Sequence, residues 1–229
     1  MTNKNRLTAL GNDTKFILFY RVTSFLLITA GLCVCLQLFE EEKNLLSLFT
    51  YTVQSNLMVW FFFLISSIRT AKAVYSGTKV KTCDFCSIFS FCTCIAITVT
   101  FLIFWCYLAP SGWMQNRLLS FRNLSIHFFC PVLMVLDRIL FYPKGQMKKT
   151  QVLFMLIFPL LYVAQSFILG LNHLVYFSDV GVESYYMYPF LDFDAYGPLV
   201  FVFILGLAGF FLGLSYLWYY LEKKAGEKI

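Results

Sequence analysis

From Leu45 to Ile68, and again from Phe85 to Ala109, the chain carries no formally charged residue. A helix needs about 20 mostly apolar residues to cross the roughly 30 Å hydrocarbon core of a bilayer, and each run is long enough to do so. A water-soluble domain could not hide both and still coat its surface: only 13% of the 229 residues are charged, against roughly 25% in soluble domains. The mean hydropathy of +0.72 agrees. The chain is expected to be an integral membrane protein. That excludes a soluble enzyme, a disordered chain, a secreted disulfide scaffold and a nucleic-acid-binding domain.

Four further apolar stretches bounded by charge or turn residues bring the expected spans to six, at 16–39, 45–68, 85–109, 118–142, 152–174 and 198–221. None shows the period-2 alternation of a barrel strand, and lipid offers no partner for an unpaired backbone group, so all six are expected to be helical. The fold class is an all-α bundle of six transmembrane helices forming one domain over 1–229, with no repeat or linker. Basic residues set its orientation. Lys4, Arg6 and Lys15 precede the first span, Arg69, Lys72, Lys79 and Lys81 follow the second, Lys144, Lys148 and Lys149 follow the fourth, and Lys223, Lys224 and Lys228 follow the sixth. The other side has only Lys43 beside Glu40, Glu41 and Glu42, then Arg117 and Arg122, then an acidic fifth loop with Asp179, Glu183, Asp192 and Asp194. Both termini are therefore expected in the cytoplasm, with the cell membrane as the location. The net charge of +6 follows from this asymmetry and does not announce an acidic partner. The first span contains Arg21, lacks a clear small-residue cleavage site and is too long for a signal peptide, so it reads as a retained helix.

Of eight cysteines, Cys33, Cys35, Cys92, Cys94, Cys106 and Cys130 fall inside spans, where a thiol behaves as a small apolar group. Cys83 and Cys86 form a single C-x-x-C without a second pair or nearby histidine, too little for a zinc site. No metal and no cofactor are expected. In the sixth span Gly206, Gly209 and Gly213 recur at close-packing spacing; packing within the bundle is the expected use, and a dimer face the other.

Ionisable groups inside spans carry the functional information. Arg21 is close enough to the headgroups to snorkel, while Asp137 and Arg138, one turn from the cytoplasmic end of the fourth span, suit pairing with neighbours such as Arg21. His127 differs. It lies about nine residues, roughly 13 Å, inside the fourth span, with Asn123 and then Ser120 on the same face. In the second span Thr52 and Asn56 are one turn apart, with Gln54 and Ser55 between them, and Thr52 is about seven residues, roughly 10 Å, below the outer surface. Both spans run from outside to inside, so Thr52 and His127 share a depth. A hydroxyl opposed to an imidazole in a dry site is the minimal pair for nucleophilic catalysis. The same residue types also bridge helices without chemistry, bonding carbonyls one turn back.

The string Asn123-Leu124-Ser125-Ile126-His127-Phe128-Phe129-Cys130-Pro131 resembles the N-x-x-x-H-x-x-x-P signature of the androgen-induced membrane proteins, a family that includes the androgen-dependent regulator of tissue factor pathway inhibitor. Tyr188-Pro189-Phe190-Leu191-Asp192 resembles their Y-P-F-L-E segment before the last span, and Asn172-His173 resembles the paired polar residues ending their fifth. The cytoplasmic loop with its bases and C-x-x-C differs from the animal members, so the chain reads as a microbial one. The resemblance implies an intramembrane hydrolase of fatty-acid esters of hydroxy fatty acids, with a threonine nucleophile and a histidine base on different helices. Carried over by position, His127 is the base and Thr52 the nucleophile. The family's threonine is followed three residues later by Asn or Asp, whereas Asn56 stands four beyond Thr52, so Ser55 is the rival nucleophile and Thr50 a third choice. Asn56 and Asn123 are candidates to orient the imidazole or to donate to the oxyanion, and Asn172 and His173 are expected at the pocket entrance. Asp137, ten residues from His127, is roughly 15 Å away along the axis and completes no triad.

Two functions therefore follow from the sequence. One is a lipid esterase working on substrate that enters from the bilayer. The other is a transporter, channel or lipid-binding protein in which the same polar residues line a path. A full path needs polar residues through the whole thickness, yet Leu57 to Ile65 is apolar. The fifth loop, Val175 to Gly197, has the length of a lid, but its Tyr185, Tyr186, Tyr188 and Tyr196 are expected to form an aromatic belt at the headgroups.

Overall fold

The computed structural model describes residues 13–78, 80, 84–110, 118–179 and 182–227. Lys4, Arg6, Lys79, Lys81, Cys83, Arg117 and Lys228 lie outside the described residues. Six helices are long and apolar enough to cross a membrane: α1 (Thr14–Cys35), α2 (Tyr51–Tyr75), α3 (Ser87–Leu108), α4 (Phe121–Phe141), α5 (Lys149–Leu171) and α6 (Leu199–Gly226). The protein is an all-α, multi-pass membrane bundle whose described strands form one small hairpin, β1 (Phe177–Asp179) paired antiparallel with β2 (Val182–Ser184). Helix direction alternates, so the start of α1 and the end of α6 lie at one end of the bundle, here the termini end, and the hairpin lies at the opposite, distal end. α3 is the most buried helix and α6 the least.

The bounds differ from the apolar runs where side chains rather than hydropathy decide them. Leu45–Phe49 is a separate 3-10 turn, and α2 starts only at Tyr51. Thr50 makes the break: its backbone is extended, its Oγ1 donates to the Ser47 carbonyl at 2.8 Å and accepts from the Val53 amide at 3.1 Å. This is an N-cap inside an apolar run, and Thr50 does not line the cavity described below. At the other end α2 continues past Ile68 to Tyr75, because Thr70 and Ala73 are still buried against neighbours. α1 stops at Cys35, four residues early, where Gln37 takes a positive φ of 52° and the Leu38 amide reaches back to the Cys33 carbonyl, closing a Schellman turn.

Two ion pairs fasten the termini end. Arg21 does not snorkel: it is buried, and its guanidinium grips both oxygens of Asp137 at 2.8 and 3.1 Å and donates to Thr70 Oγ1 at 2.9 Å. Arg138 grips Glu222 of α6 at 2.7 and 2.9 Å and donates to the Ser87 carbonyl of α3 at 2.8 Å. Successive residues on a helix diverge by about 100°, so Asp137 and Arg138 face different neighbours and tie α4 to α1 and to α6. Trp218 Nε1 donates to the same Glu222 at 2.9 Å.

Gly206, Gly209 and Gly213 do not serve packing within the bundle. A Cβ at any of them would meet nothing within 4 Å among the described residues. α6 packs through its opposite face, where Phe211, Ser215 and Glu222 are buried. The tight glycines are elsewhere: a Cβ on Gly31 would come within 2.6 Å of Ser125, seating α1 on the first half of α4, and a Cβ on Gly170 would come within 2.2 Å of the Tyr186 ring.

Candidate functional site

His127 stands where α4 departs from α-helical geometry. Ser125–Phe129 is a π-helical turn in which the Cys130 amide reaches past Ile126 to the Ser125 carbonyl, an arrangement that frees a carbonyl for other partners. The carbonyl freed is that of Ile126, and Asn56 Nδ2 takes it at 3.1 Å. One residue on, the His127 carbonyl would normally accept from residue 131, but Pro131 has no N–H. Trp105 Nε1 donates to it instead, at 2.9 Å. A side chain from α2 and another from α3 thus satisfy the two backbone acceptors that the H-x-x-x-P spacing and the π turn leave open. α3 has its own π turn, Phe104–Leu108, and the Phe104 ring stacks on the His127 imidazole with centroids 3.7 Å apart and planes 10° from parallel. His127 is 7% exposed, and its Nδ1 is buried without a hydrogen-bond partner among the described residues.

Thr52 lies in the first turn of α2, because α2 begins six residues later than the apolar run suggests. Thr52 and His127 nevertheless line one cavity of about 820 Å³, within the range of roughly 300–1,000 Å³ that holds small ligands. α3 contributes Thr100, Ile103, Phe104 and Tyr107, α5 contributes Tyr162, and α6 contributes Phe203, Leu207 and Phe211. The described lining contains hydroxyls and one imidazole among apolar and aromatic groups, and no charged side chain. Its most exposed members are Ile103 and Tyr107 on α3, Tyr196 just before α6 and Phe203 on it.

The distal loop roofs the cavity with Phe177, Met187, Tyr188, Pro189, Phe190 and Leu191. Of the four tyrosines expected at the headgroups, Tyr188 and Tyr196 line the cavity and Tyr186 is fully buried, so this loop also serves as a cover. Asp192 organises it: Oδ1 accepts from the Ala195 amide at 2.9 Å and caps the helical turn Phe193–Tyr196, while Oδ2 accepts from Ser184 Oγ at 2.6 Å. Tyr186 docks the cover on α5, fully buried against Gly170. Tyr188 points to the start of α2, where its hydroxyl meets the Thr52 hydroxyl, the backbone amides of Tyr51 and Thr52, and the Tyr162 hydroxyl.

The remaining candidate residues are near the site but off the cavity wall. Ser55 is fully buried, its Oγ 2.8 Å from Thr100 Oγ1 and donating to the Thr52 carbonyl at 2.9 Å. Asn56 spends both Nδ2 hydrogens on the Thr52 and Ile126 carbonyls, at 2.8 and 3.1 Å. Asn123 is buried in the first turn of α4. Asn172 and His173 do not line the cavity. They end α5 in a Schellman turn, with His173 at φ 50°, its amide bonded to the Gly170 carbonyl and that of Leu174 to Leu169. The exposed His173 ring stacks on Tyr185 and lies 3.5 Å from Asp194. Asp137 is committed to Arg21 at the far end of α4.

Sequence reasoning passed over Tyr188, Phe104 and Trp105 as site residues. Tyr188 was within reach, since it heads the Y-P-F-L-D segment, whereas nothing marks Phe104 or Trp105 among the 27 phenylalanines and four tryptophans. Among the described residues no group of three His, Cys, Asp or Glu side chains could hold a metal ion. No protein-family model matches the chain, and neither does any curated protein or solved structure.

Proposed function

We propose that the protein is an intramembrane hydrolase that cleaves lipid acyl esters, such as fatty-acid esters of hydroxy fatty acids, with Thr52 as nucleophile and His127 as base. One observation carries the reading. A hydroxyl and an imidazole on different helices line the same charge-free cavity, and the imidazole has a buried ring nitrogen with no partner among the described residues. Of the seven such buried side-chain atoms among the described residues, it alone belongs to a residue on the cavity wall, and an unpartnered buried polar atom calls for an explanation such as a catalytic role. Thr52 Oγ1 attacks the acyl carbonyl carbon as His127 takes the hydroxyl proton. Collapse of the tetrahedral species breaks the bond to the alcohol, which leaves with the proton from His127, and water, activated by the same imidazole, releases the fatty acid and restores Thr52. Ser55 is the poorer nucleophile because it is fully buried off the cavity wall, behind Thr100, with its hydroxyl donating to the Thr52 carbonyl. Asn56 acts by position, bonding the carbonyl of Thr52 and that of Ile126, the residue before His127.

The bases at the termini end, among them Lys15, Arg69, Lys72, Lys144 and Lys223, support a reading in which that end faces the cytoplasm and the cavity lies in the outer half of the cell membrane. Substrate then slides in from lipid between α3 and α6. A transport path is the weaker reading: α2 contributes only Tyr51 and Thr52 to the cavity and α4 only His127, while Val59, Phe62 and Phe63 further along α2 are buried.

The test is hydrolysis of a panel of long-chain acyl esters by the purified protein. Thr52→Ala and His127→Ala are expected to lose at least about a thousandfold in kcat/KM at matched folded amounts, with Ser55→Ala within about tenfold of wild type. A wild-type protein that hydrolyses none of the esters, or a His127→Ala variant that keeps full turnover, overturns the assignment.

A further inference from the structure

An acyl transfer at Thr52 develops negative charge on the carbonyl oxygen, and hydrogen-bond donors set in advance around that oxygen contribute strongly to such catalysis. The asparagines near the site are not available for it. Both Asn56 Nδ2 hydrogens are committed to carbonyls, and Asn123 is not on the cavity wall. Two of the tyrosines around Thr52 are also committed: Tyr162 donates to the Phe49 carbonyl at 3.1 Å and Tyr51 to that of Ala96 at 3.5 Å.

Tyr188 is differently placed. Its hydroxyl comes down from the cover onto the Thr52 hydroxyl and the Tyr51 and Thr52 amides. Those amides belong to the first turn of α2, where no intrahelical acceptor exists; the next two are taken, that of Val53 by Thr50 Oγ1 and that of Gln54 by the Thr50 carbonyl. The Tyr188 oxygen thus faces the helix start beside the proposed nucleophile, on the same cavity wall. The phenol is held from several sides: its ring stacks on Phe190 with centroids 5.5 Å apart and planes 13° from parallel, and leans on Tyr162 at 6.0 Å.

We propose that the Tyr188 hydroxyl is the oxyanion donor of this site, meeting the acyl carbonyl oxygen at the start of α2 while Thr52 attacks the carbon. The inference rests on the Thr52–His127 reading. Burial raises the Tyr188 pKa above its ordinary value, so the phenol stays a donor at neutral pH. Because Tyr188 belongs to the cover, the donor is in place only when the cover is docked, which couples closure over the cavity to the chemistry.

The experiment measures steady-state hydrolysis by Tyr188→Phe beside wild type and Thr52→Ala. It also measures binding of an ether analogue of the ester, which has no carbonyl, and thermal unfolding in detergent. Tyr188→Phe is expected to lower kcat by about 10²–10³-fold with KM and ether affinity within about twofold of wild type. Unchanged or raised kcat, or a kcat loss matched by loss of ether binding, means that Tyr188 only packs or blocks the site, and the inference falls while the Thr52–His127 reading stands. A wild type without ester hydrolysis, or a Thr52→Ala variant that keeps it, removes that reading and this inference together.

Discussion

Asn56 on α2 donates from Nδ2 to the main-chain carbonyl of Ile126 on α4, the residue immediately before His127. The other Nδ2 hydrogen goes to the carbonyl of Thr52, so one amide group spans the backbones of the proposed nucleophile and base. The bond exists because the π turn left the Ile126 carbonyl open. Replacing Asn56 with Leu strands that buried acceptor and is expected to lower stability by about 1–3 kcal/mol. Thermal unfolding in detergent measures the loss, and ester turnover should fall by more than the folded fraction does, since the bridge aligns both groups. Equal loss of fold and turnover would reduce Asn56 to a packing residue.

Trp105 and Pro131 form a second linked pair. Trp105→Phe removes the donor to the His127 carbonyl and is expected to destabilise by about 1–3 kcal/mol. In that background Pro131→Ala supplies an N–H at position 131, the ordinary helical donor to the same carbonyl. The double variant should therefore be more stable than the sum of the two single effects requires, a coupling read from a double-mutant cycle of unfolding free energies. Additive effects would mean that Trp105 and Pro131 do not act on one carbonyl.

The ion pairs at the termini end lie away from the cavity and predict a different signature. Asp137→Ala leaves the Arg21 guanidinium buried without its counter-charge and is expected to cost about 3–5 kcal/mol. Arg21→Met combined with Asp137→Leu should recover most of that loss, because it removes both charges rather than one. In either variant kcat per folded molecule should stay within about twofold, by the additivity of distant sites. A large kcat change at constant fold would show that the two ends communicate.

Much of the architecture was legible because lipid makes simple demands. Six apolar runs gave six spans, and the depth of His127 and Thr52 singled them out before any geometry was known. The losses have physical causes. A helix start marked by one hydroxyl, Thr50, is invisible to hydropathy when apolar residues flank it on both sides. Glu222, the partner of Arg138, lay one residue past the expected end of the sixth span. The α4 π turn exposes the Ile126 carbonyl and Pro131 leaves that of His127 open, and the Asn56 and Trp105 side chains that satisfy them arrive from other helices, which no local pattern encodes. Azimuth was the deepest gap: a helix that is apolar all round does not say which face meets its neighbours, and so Gly206, Gly209 and Gly213 were turned inward when they face outward.

The glycines supply a final contrast that separates the cover from the bundle. Gly170→Ala drives a methyl group into the Tyr186 ring, with 2.2 Å to the nearest ring carbon, and Tyr186 is fully buried and cannot step aside without lifting the cover. Gly209→Ala meets open space on a helix interior, where alanine is favoured over glycine by about 1 kcal/mol. Gly209→Ala is therefore expected to unfold at the same temperature as wild type or higher, with unchanged turnover. Gly170→Ala should keep the helix content of the bundle by circular dichroism yet lose turnover, and limited proteolysis should cut it between Phe177 and Tyr196 faster than wild type. If Gly170→Ala is as active and as protease-resistant as Gly209→Ala, the distal loop is not held closed by Tyr186, and the link between a docked cover and a working site is lost.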